Sequence, residues 1–184
     1  MNRILALTTV VVMSLTASGV LLAQDSPFVG TWKLNLAKSK FTGTQPPQSE
    51  MRTVVPQGDG EKVTYEGTAA DGTPISYSFT THLDGKDSPF SGAHIFGGDS
   101  VAVRRVDANT TTSVVKKAGK TLITLTTVVS KDGMVTTQTA RGTNAQGQPI
   151  SFTSVWDKQP NDTAGSKGGG DIVDPPHWKQ PNTP

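Results

Sequence analysis

The stretch FVGTWKLNL, residues 28–36, repeats with a period of two. One face of this segment carries Phe28, Gly30, Trp32, Leu34 and Leu36. Such alternation is typical of a half-buried strand in an antiparallel sheet and not of a helix. The pattern recurs at residues 75–83, where Ile75, Tyr77 and Phe79 share a face. The sequence therefore predicts a sheet with one apolar side.

Short segments rich in Gly, Asp or Asn separate the candidate strands: QGDGEK, AADGTP, VDANTT, KKAGKT, SKDGMV and NAQGQP. They predict hairpin turns. The strands are expected at residues 28–36, 50–56, 61–68, 74–83, 99–106, 110–117, 120–130, 134–142 and 149–157. We predict an all-β fold in which eight or nine strands form an antiparallel up-and-down meander that closes into a barrel. The segment NLAKSKF could hold one turn of helix.

The two ends of the chain differ in composition from the centre. Residues 1–23 combine Arg3, an apolar run and small residues near Ala23, the layout of a secretory signal peptide. Cleavage is expected after Ala23, or else after Gly19. Residues 26–158 form the predicted single domain, and residues 159–184, rich in Gly and Pro, are expected to be disordered.

The composition restricts the possible partners. The chain has no cysteine and a formal net charge of +2, with its basic residues scattered among acids and turns. It therefore lacks the clustered positive charge of nucleic-acid-binding proteins and the cysteine that would carry a lipid anchor. We expect an exported monomer, periplasmic or extracellular, with no cofactor and no stable membrane anchor after signal cleavage.

An internal repeat relates residues 53–80 to residues 127–154 once one residue is removed from the first turn. Both copies contain TVV, a Gly turn, GT, a second Gly turn and PIS followed by an aromatic residue. We predict a duplicated three-strand unit; convergence of similar hairpins is the alternative. Where the first copy has Val63 and Tyr65, the second has Gln138 and Ala140. Either the second half leaves a cavity, or its strand register has slipped.

Catalytic and metal-binding patterns are sparse. His82, Asp84, Asp87 and His94 are close in sequence, and imidazoles and carboxylates are zinc ligands. Their spacing lacks a full ligand set, so we predict no metal site. The chain has no Gly-x-Ser-x-Gly elbow and no cysteine nucleophile, so we predict that it is not an enzyme.

Three arginines are candidates for stacking on an indole at one barrel end: Arg104, Arg105 and Arg141. Arg105 shares a face with Val101 and Val103, so either it or Arg104 should point inward unless the strand is bulged. The alternative is one solvent-facing arginine and one whose aliphatic stem lies along apolar surface.

Gly30 and Trp32 in FVGTWKLN resemble the Gly-x-Trp motif that opens the first strand of lipocalin-like, or calycin, barrels. The family's Thr-Asp-Tyr loop is not matched, and its late arginine, which packs on the tryptophan, could correspond to Arg105 or Arg141. The chain from 26 to 159 also resembles a family of small exported bacterial proteins of uncharacterised function, through DGKDSPFSG, VAVRRVDANTTT and GTNAQGQ followed by VWDKQ.

The lipocalin-like resemblance implies binding of a small hydrophobic molecule in the barrel interior. The inward aromatic residues expected to line such a pocket are Trp32, Tyr65, Tyr77, Phe79, Phe152 and Trp156. As core residues they would need no ligand, and the alternative is a packed barrel acting as an envelope interaction or structural module. We expect Trp32 to close one end of the barrel, with any ligand above it.

Overall fold

A computed structural model of the protein describes residues 26–144 and 146–160. These residues form β-strands and no helix. The strands are β1 Gly30–Thr42, β2 Ser49–Gln57, β3 Gly60–Thr68, β4 Pro74–Thr81, β5 Asp84–Pro89, β6 Ser91–Gly92, β7 Ser100–Arg105, β8 Thr110–Lys117, β9 Lys120–Val129, β10 Val135–Thr143 and β11 Pro149–Lys158. A helix able to cross a membrane is accordingly absent from these residues. The predicted signal peptide and all but the start of the predicted tail lie outside them.

The strands form one antiparallel sheet in the order β5-β7-β8-β9-β10-β11-β1-β2-β3-β4-β6. The sheet curls on itself because β1 pairs with the last strand on one side and with β2 on the other. Trp32 lies opposite Lys158 in the first pairing and opposite Arg52 in the second. The predicted all-β, up-and-down barrel is confirmed.

The remaining gap in the barrel, between β4 and β7, is spanned by residues 84–92. Within this segment β5 pairs with β7, and β6 pairs with β4 through Tyr77 opposite Gly92 and Ser78 opposite Ser91. The sequence analysis expected no strand between residues 83 and 99, and that was wrong: the segment forms the two extra strands. Its turn-like composition hides strands that are short and lie on sheet edges.

The NLAKSKF segment also differs from the expectation. It belongs to β1, which reaches Thr42, and the pairing with β11 shifts register between Asn35 and Lys40. The Ser39 hydroxyl donates to the Asn35 carbonyl oxygen at 2.7 Å and accepts from the Val155 N–H at 3.0 Å. A bulge therefore takes up the extra residues that could have formed a helical turn.

The predicted turns join the predicted strand pairs. The tightest is Ala118–Gly119 between β8 and β9, where both residues have positive φ, at 48° and 74°. That conformation matches a two-residue hairpin turn whose twist suits the flanking strands.

The two copies of the predicted repeat have the same topology, β2–β3–β4 and β9–β10–β11. Gly67 of β3 and Gly142 of β10, the glycines of the two GT pairs, have nearly identical surroundings. A Cβ on Gly67 would overlap the Ser49 carbonyl oxygen, and a Cβ on Gly142 would overlap that of Leu122. Common ancestry of the two units stays a prediction.

The second copy of the repeat keeps the strand register of the first in one part and is shifted by one residue in another. Gln138 and Ala140 are buried, as Val63 is, so β3 and β10 present the same face inward. The TVV segments are offset by one residue instead. Val54, the middle residue of the first, is buried, whereas Val128, the middle residue of the second, is 42% exposed.

Candidate functional site

The barrel encloses a cavity of about 780 Å³. Its wall is formed by residues from nearly all strands and by the 90–96 segment. The aromatic side chains in the wall are Phe41, Tyr65, Tyr77, Phe79, Phe90, His94, Phe96, Phe152 and Trp156. Leu34, Ile75, Val101, Val115, Ile123 and Leu125 add aliphatic surface. The interior is thus largely apolar and not filled by its own side chains.

Five of the six residues predicted to line a pocket are in this wall: Tyr65, Tyr77, Phe79, Phe152 and Trp156. The sixth, Trp32, does not border the cavity; its side chain is fully buried, at 0% exposure, and its indole N–H donates to the Phe28 carbonyl oxygen at 2.9 Å. Trp32 therefore belongs to the core beneath the cavity. That Trp32 closes one end of the barrel stays a prediction.

Arg52 lies between the two buried indoles. Its guanidinium carbon is 5.5 Å from the centroid of Trp32 and 5.1 Å from that of Trp156, within the range of cation–π contacts. The side chain is 3% exposed, and its Nε and Nη2 atoms have no hydrogen-bond partner among the described residues. It borders a separate small void of about 60 Å³ and not the large cavity.

The arginine on the indoles is therefore none of the three candidates named from the sequence, and Arg104 faces solvent as the alternative expected. Arg104 and Arg141 are exposed, and Arg105 stacks on Phe28 at 5.3 Å instead of on a tryptophan. Arg105 also contacts the Ser26 hydroxyl at 3.0 Å and Glu61 at 3.4 Å. The contact arises from strand pairing, because Arg52 in β2 lies opposite Trp32 in β1. The candidates named from the sequence were instead late in the chain.

A chain of polar side chains crosses the wall on the second half of the barrel. Gln138, 7% exposed, donates to the Thr127 hydroxyl at 3.3 Å and to the Tyr65 hydroxyl at 3.4 Å. Its carbonyl oxygen accepts from Ser154 at 3.5 Å, and the Ser154 oxygen accepts from the Trp156 indole N–H at 3.0 Å. These contacts hold the Trp156 ring at the floor of the cavity.

Glu50 of β2 is the buried acid in the wall, 6% exposed. Burial raises its pKa to about 7, although the nearby charge of Arg52 acts in the opposite direction. Burial and, to a smaller extent, the Glu50 charge raise the pKa of the neighbouring Tyr77 hydroxyl. At neutral pH the wall therefore contains a carboxyl group near its titration midpoint.

The 90–96 segment contributes an aromatic cluster to the side of the cavity. The His94 ring stacks on Phe90 at 4.5 Å and meets Tyr77 edge-on at 4.9 Å, while Phe96 stacks on Phe152 at 5.7 Å. Burial lowers the pKa of His94 to about 4, so this imidazole is neutral at physiological pH. Its Nδ1 accepts a hydrogen bond from the Phe96 N–H at 3.2 Å.

The four residues considered as metal ligands are not brought together. His82 pairs with Asp59 at 3.0 Å, Asp84 with Lys86 at 2.8 Å, and Asp87 with Lys116 at 2.7 Å. Within residues 26–144 and 146–160 no group of three or more potential ligands is found.

The sequence analysis missed Glu50 and the residues of the 90–96 segment. Strict alternation through Glu50, Arg52 and Val54 was the available signal for β2. It was obscured because the opposite face, with Met51 and Val55, is the more apolar of the two. In PFSGAHIF the aromatic rings were the signal, but Pro, Gly and Ser around them favoured a loop.

Fold and cavity together define a nearly closed antiparallel barrel with an aromatic-lined interior. No protein-family model matches the sequence, and no curated protein matches it.

Solved structures with a similar backbone include one fish protein and one lobster protein. A zebrafish ileal bile acid-binding protein complexed with cholic acid is 17% identical, with 73% of this chain and 100% of that chain covered at a TM-score of 0.45. Lobster apocrustacyanin A1 is 12% identical, with 74% and 63% covered at a TM-score of 0.37. The function proposed below rests on the cavity itself.

Proposed function

We propose that the protein is an exported carrier that binds a small hydrophobic molecule inside the barrel, without catalysis. The observation that supports this is the cavity of about 780 Å³, which lies within the range of about 300–1,000 Å³ of small-molecule sites. Nine aromatic rings in its wall, counting His94, offer apolar contact area. A packed barrel serving only as an envelope interaction module would leave such a volume unexplained.

The test is a titration with a neutral apolar fluorophore, N-phenyl-1-naphthylamine, followed by its own emission. We expect saturable binding at one site per chain. The matched variants are Ser113→Phe, which fills the cavity from β8, and Thr112→Phe, which places the same ring on the outer face of that strand. Ser113→Phe should weaken binding at least about tenfold, whereas Thr112→Phe should leave it within about twofold.

Two outcomes would contradict the binding proposal. The first is a wild-type chain that does not bind the fluorophore, and the second is equal binding by the two phenylalanine variants.

Export has its own measurement. Intact-mass analysis of the protein produced in a bacterial host should give a chain that begins at Gln24. A chain that retains residues 1–23 would contradict the export part of the proposal.

A further inference from the structure

The described wall of the large cavity holds two acidic side chains, and its one imidazole, His94, is neutral at physiological pH. Glu50 and Asp71 are the charged residues there, with no lysine or arginine among the described residues that line it. Asp71 is exposed in the β3–β4 turn, where its carboxylate accepts from the Thr73 N–H at 3.0 Å and from the Thr73 hydroxyl at 2.7 Å. Glu50 lies inside the barrel. An occupant of the interior therefore meets the Glu50 carboxyl group and no lysine or arginine side chain.

The Glu50 carboxyl is buried without a hydrogen-bond or ion-pair partner among the described residues. Its raised pKa reflects burial opposed only by the charge of Arg52, and no hydrogen bond contributes. A buried carboxylate that lacks partners is costly, and a positively charged donor beside it would offset that cost. The Glu50 oxygens are not among the fully buried side-chain atoms that lack a partner, so the carboxyl group keeps surface toward the cavity, where an occupant can pair with it.

The aromatic rings that share this wall with Glu50 favour a cation. Tyr77 is stacked on Tyr65 at 4.8 Å, and Phe90 meets Tyr77 edge-on at 5.7 Å. Faces of such rings attract an ammonium group. Arg52, the cation next to Glu50 on β2, does not take this place, because it lies between the indoles of the floor and borders the smaller void.

We propose that the cavity selects a hydrophobic amine, with its protonated nitrogen against Glu50 and the aromatic rings around it. The apolar body would lie along Phe79, Phe152 and Trp156. This inference rests on the proposed binding function and specifies the chemistry of the ligand. A carboxylate ligand is disfavoured, because its charge would face those of Glu50 and Asp71.

The test uses three probes of the same chain length, decylamine, decanol and decanoate, measured by calorimetry on the full mature chain. Decylamine should bind at least about tenfold more tightly than decanol, and decanoate more weakly than decanol. Glu50→Gln, which keeps the shape of the side chain, should weaken decylamine binding about tenfold and leave decanol within about twofold. The control Glu66→Gln makes the same change on the outer face of β3, away from the cavity wall, and should change each affinity by less than about twofold.

A second measurement counts the protons that the Glu50 carboxyl releases when the amine binds. Near pH 7 about half of the Glu50 carboxyls are protonated, so binding of the amine should release about half a proton per chain. Calorimetry in buffers of different ionisation enthalpy gives this number, and Glu50→Gln should release none.

The outcomes separate the two proposals. If decanol binds but decylamine binds no more tightly, or if Glu50→Gln leaves the amine affinity unchanged, the amine inference is overturned and the hydrophobic carrier stands. If neither the three probes nor N-phenyl-1-naphthylamine bind, the carrier proposal itself fails.

Discussion

At the scale of single residues, the two buried tryptophans have different roles. Trp32 has no exposed surface and does not reach the cavity, whereas the ring of Trp156 forms part of its floor. Arg52 fills the space between them. The Gly-x-Trp motif thus contributes to the core, and the partner indole is the one that a ligand would touch.

We expect Trp32→Phe and Trp156→Phe to separate stability from binding. Trp32→Phe loses apolar area and leaves the Phe28 carbonyl oxygen without its donor, so it should lower the free energy of unfolding by about 1–3 kcal/mol. The dissociation constant of N-phenyl-1-naphthylamine should stay within about twofold. Trp156→Phe should raise that constant about threefold or more. Equal effects of both variants on binding would contradict the assignment.

Glu50 and His94 should give opposite contributions to the pH dependence of stability. The pKa of Glu50 is raised to about 7 in the folded protein, so its stabilising effect is full below about pH 4.5 and is lost as the pH rises to 7. The pKa of His94 is lowered to about 4, so its effect is present above about pH 6.5 and is lost as the pH falls. Between these limits the two groups change the free energy of unfolding in opposite directions as the pH rises.

Denaturant unfolding from pH 4 to 8 measures these contributions. Relative to the wild type, Glu50→Gln should gain stability with rising pH, reaching about 3 kcal/mol above pH 7. His94→Phe should instead give a protein whose stability falls between pH 4.5 and 7, because the Glu50 slope is then unopposed. Parallel pH profiles for the wild type and Glu50→Gln would show that Glu50 ionises normally.

At the scale of strands, the closest approaches occur at matching glycines of the two repeat units. Gly67 and Gly142 each lie against the backbone of the preceding strand, at a distance that leaves no room for a methyl group. These contacts fix the register that keeps Glu50 and Ile123 opposite them on the inner face. The glycines are therefore part of what shapes the cavity wall.

Alanine at either glycine should force the paired strands apart. We expect Gly67→Ala and Gly142→Ala each to lower the free energy of unfolding by about 1–3 kcal/mol or more, and by similar amounts. Gly133→Ala is the control, because a Cβ there meets nothing within 4 Å and only its positive φ is unfavourable, a cost of about 1 kcal/mol. Thermal and urea unfolding provide the measurements. The steric explanation is wrong if all three variants lose the same amount.

Most strands could be predicted because their hydrophobic alternation and turn residues are local signals. The turn at Ala118–Gly119 and the strands around it are examples. The strands of the 84–92 segment could not be found this way, since each side of the segment pairs with a different part of the sheet. The arginine at the floor was missed for the same reason: Arg52 acquires its role from Trp32 and Trp156, which are distant in sequence and close only in the folded barrel.

At the scale of the whole molecule, the barrel depends on its last strand. β11 pairs with both β1 and β10 and carries Phe152 and Trp156 into the cavity wall. Its removal would leave two strand edges unpaired and half of the floor missing.

Two truncations test this dependence. A chain that ends at Pro160 should retain the cooperative unfolding transition of the full chain and its binding of N-phenyl-1-naphthylamine. A chain that ends at Gln148 should lose both, as followed by circular dichroism and probe emission. A cooperative transition in the shorter chain would show that β11 is not needed to close the barrel.

The pairing of Trp32 with Lys158 also concerns the time course of folding. Contacts between residues so far apart in sequence form late, because a long loop must close before they contribute any stability. Hairpins such as β8–β9 can form locally, but the cavity does not exist until the first and last strands meet. A newly made chain therefore cannot acquire a binding site strand by strand: it gains the whole interior in the final step, after the segment up to Lys158 has become available.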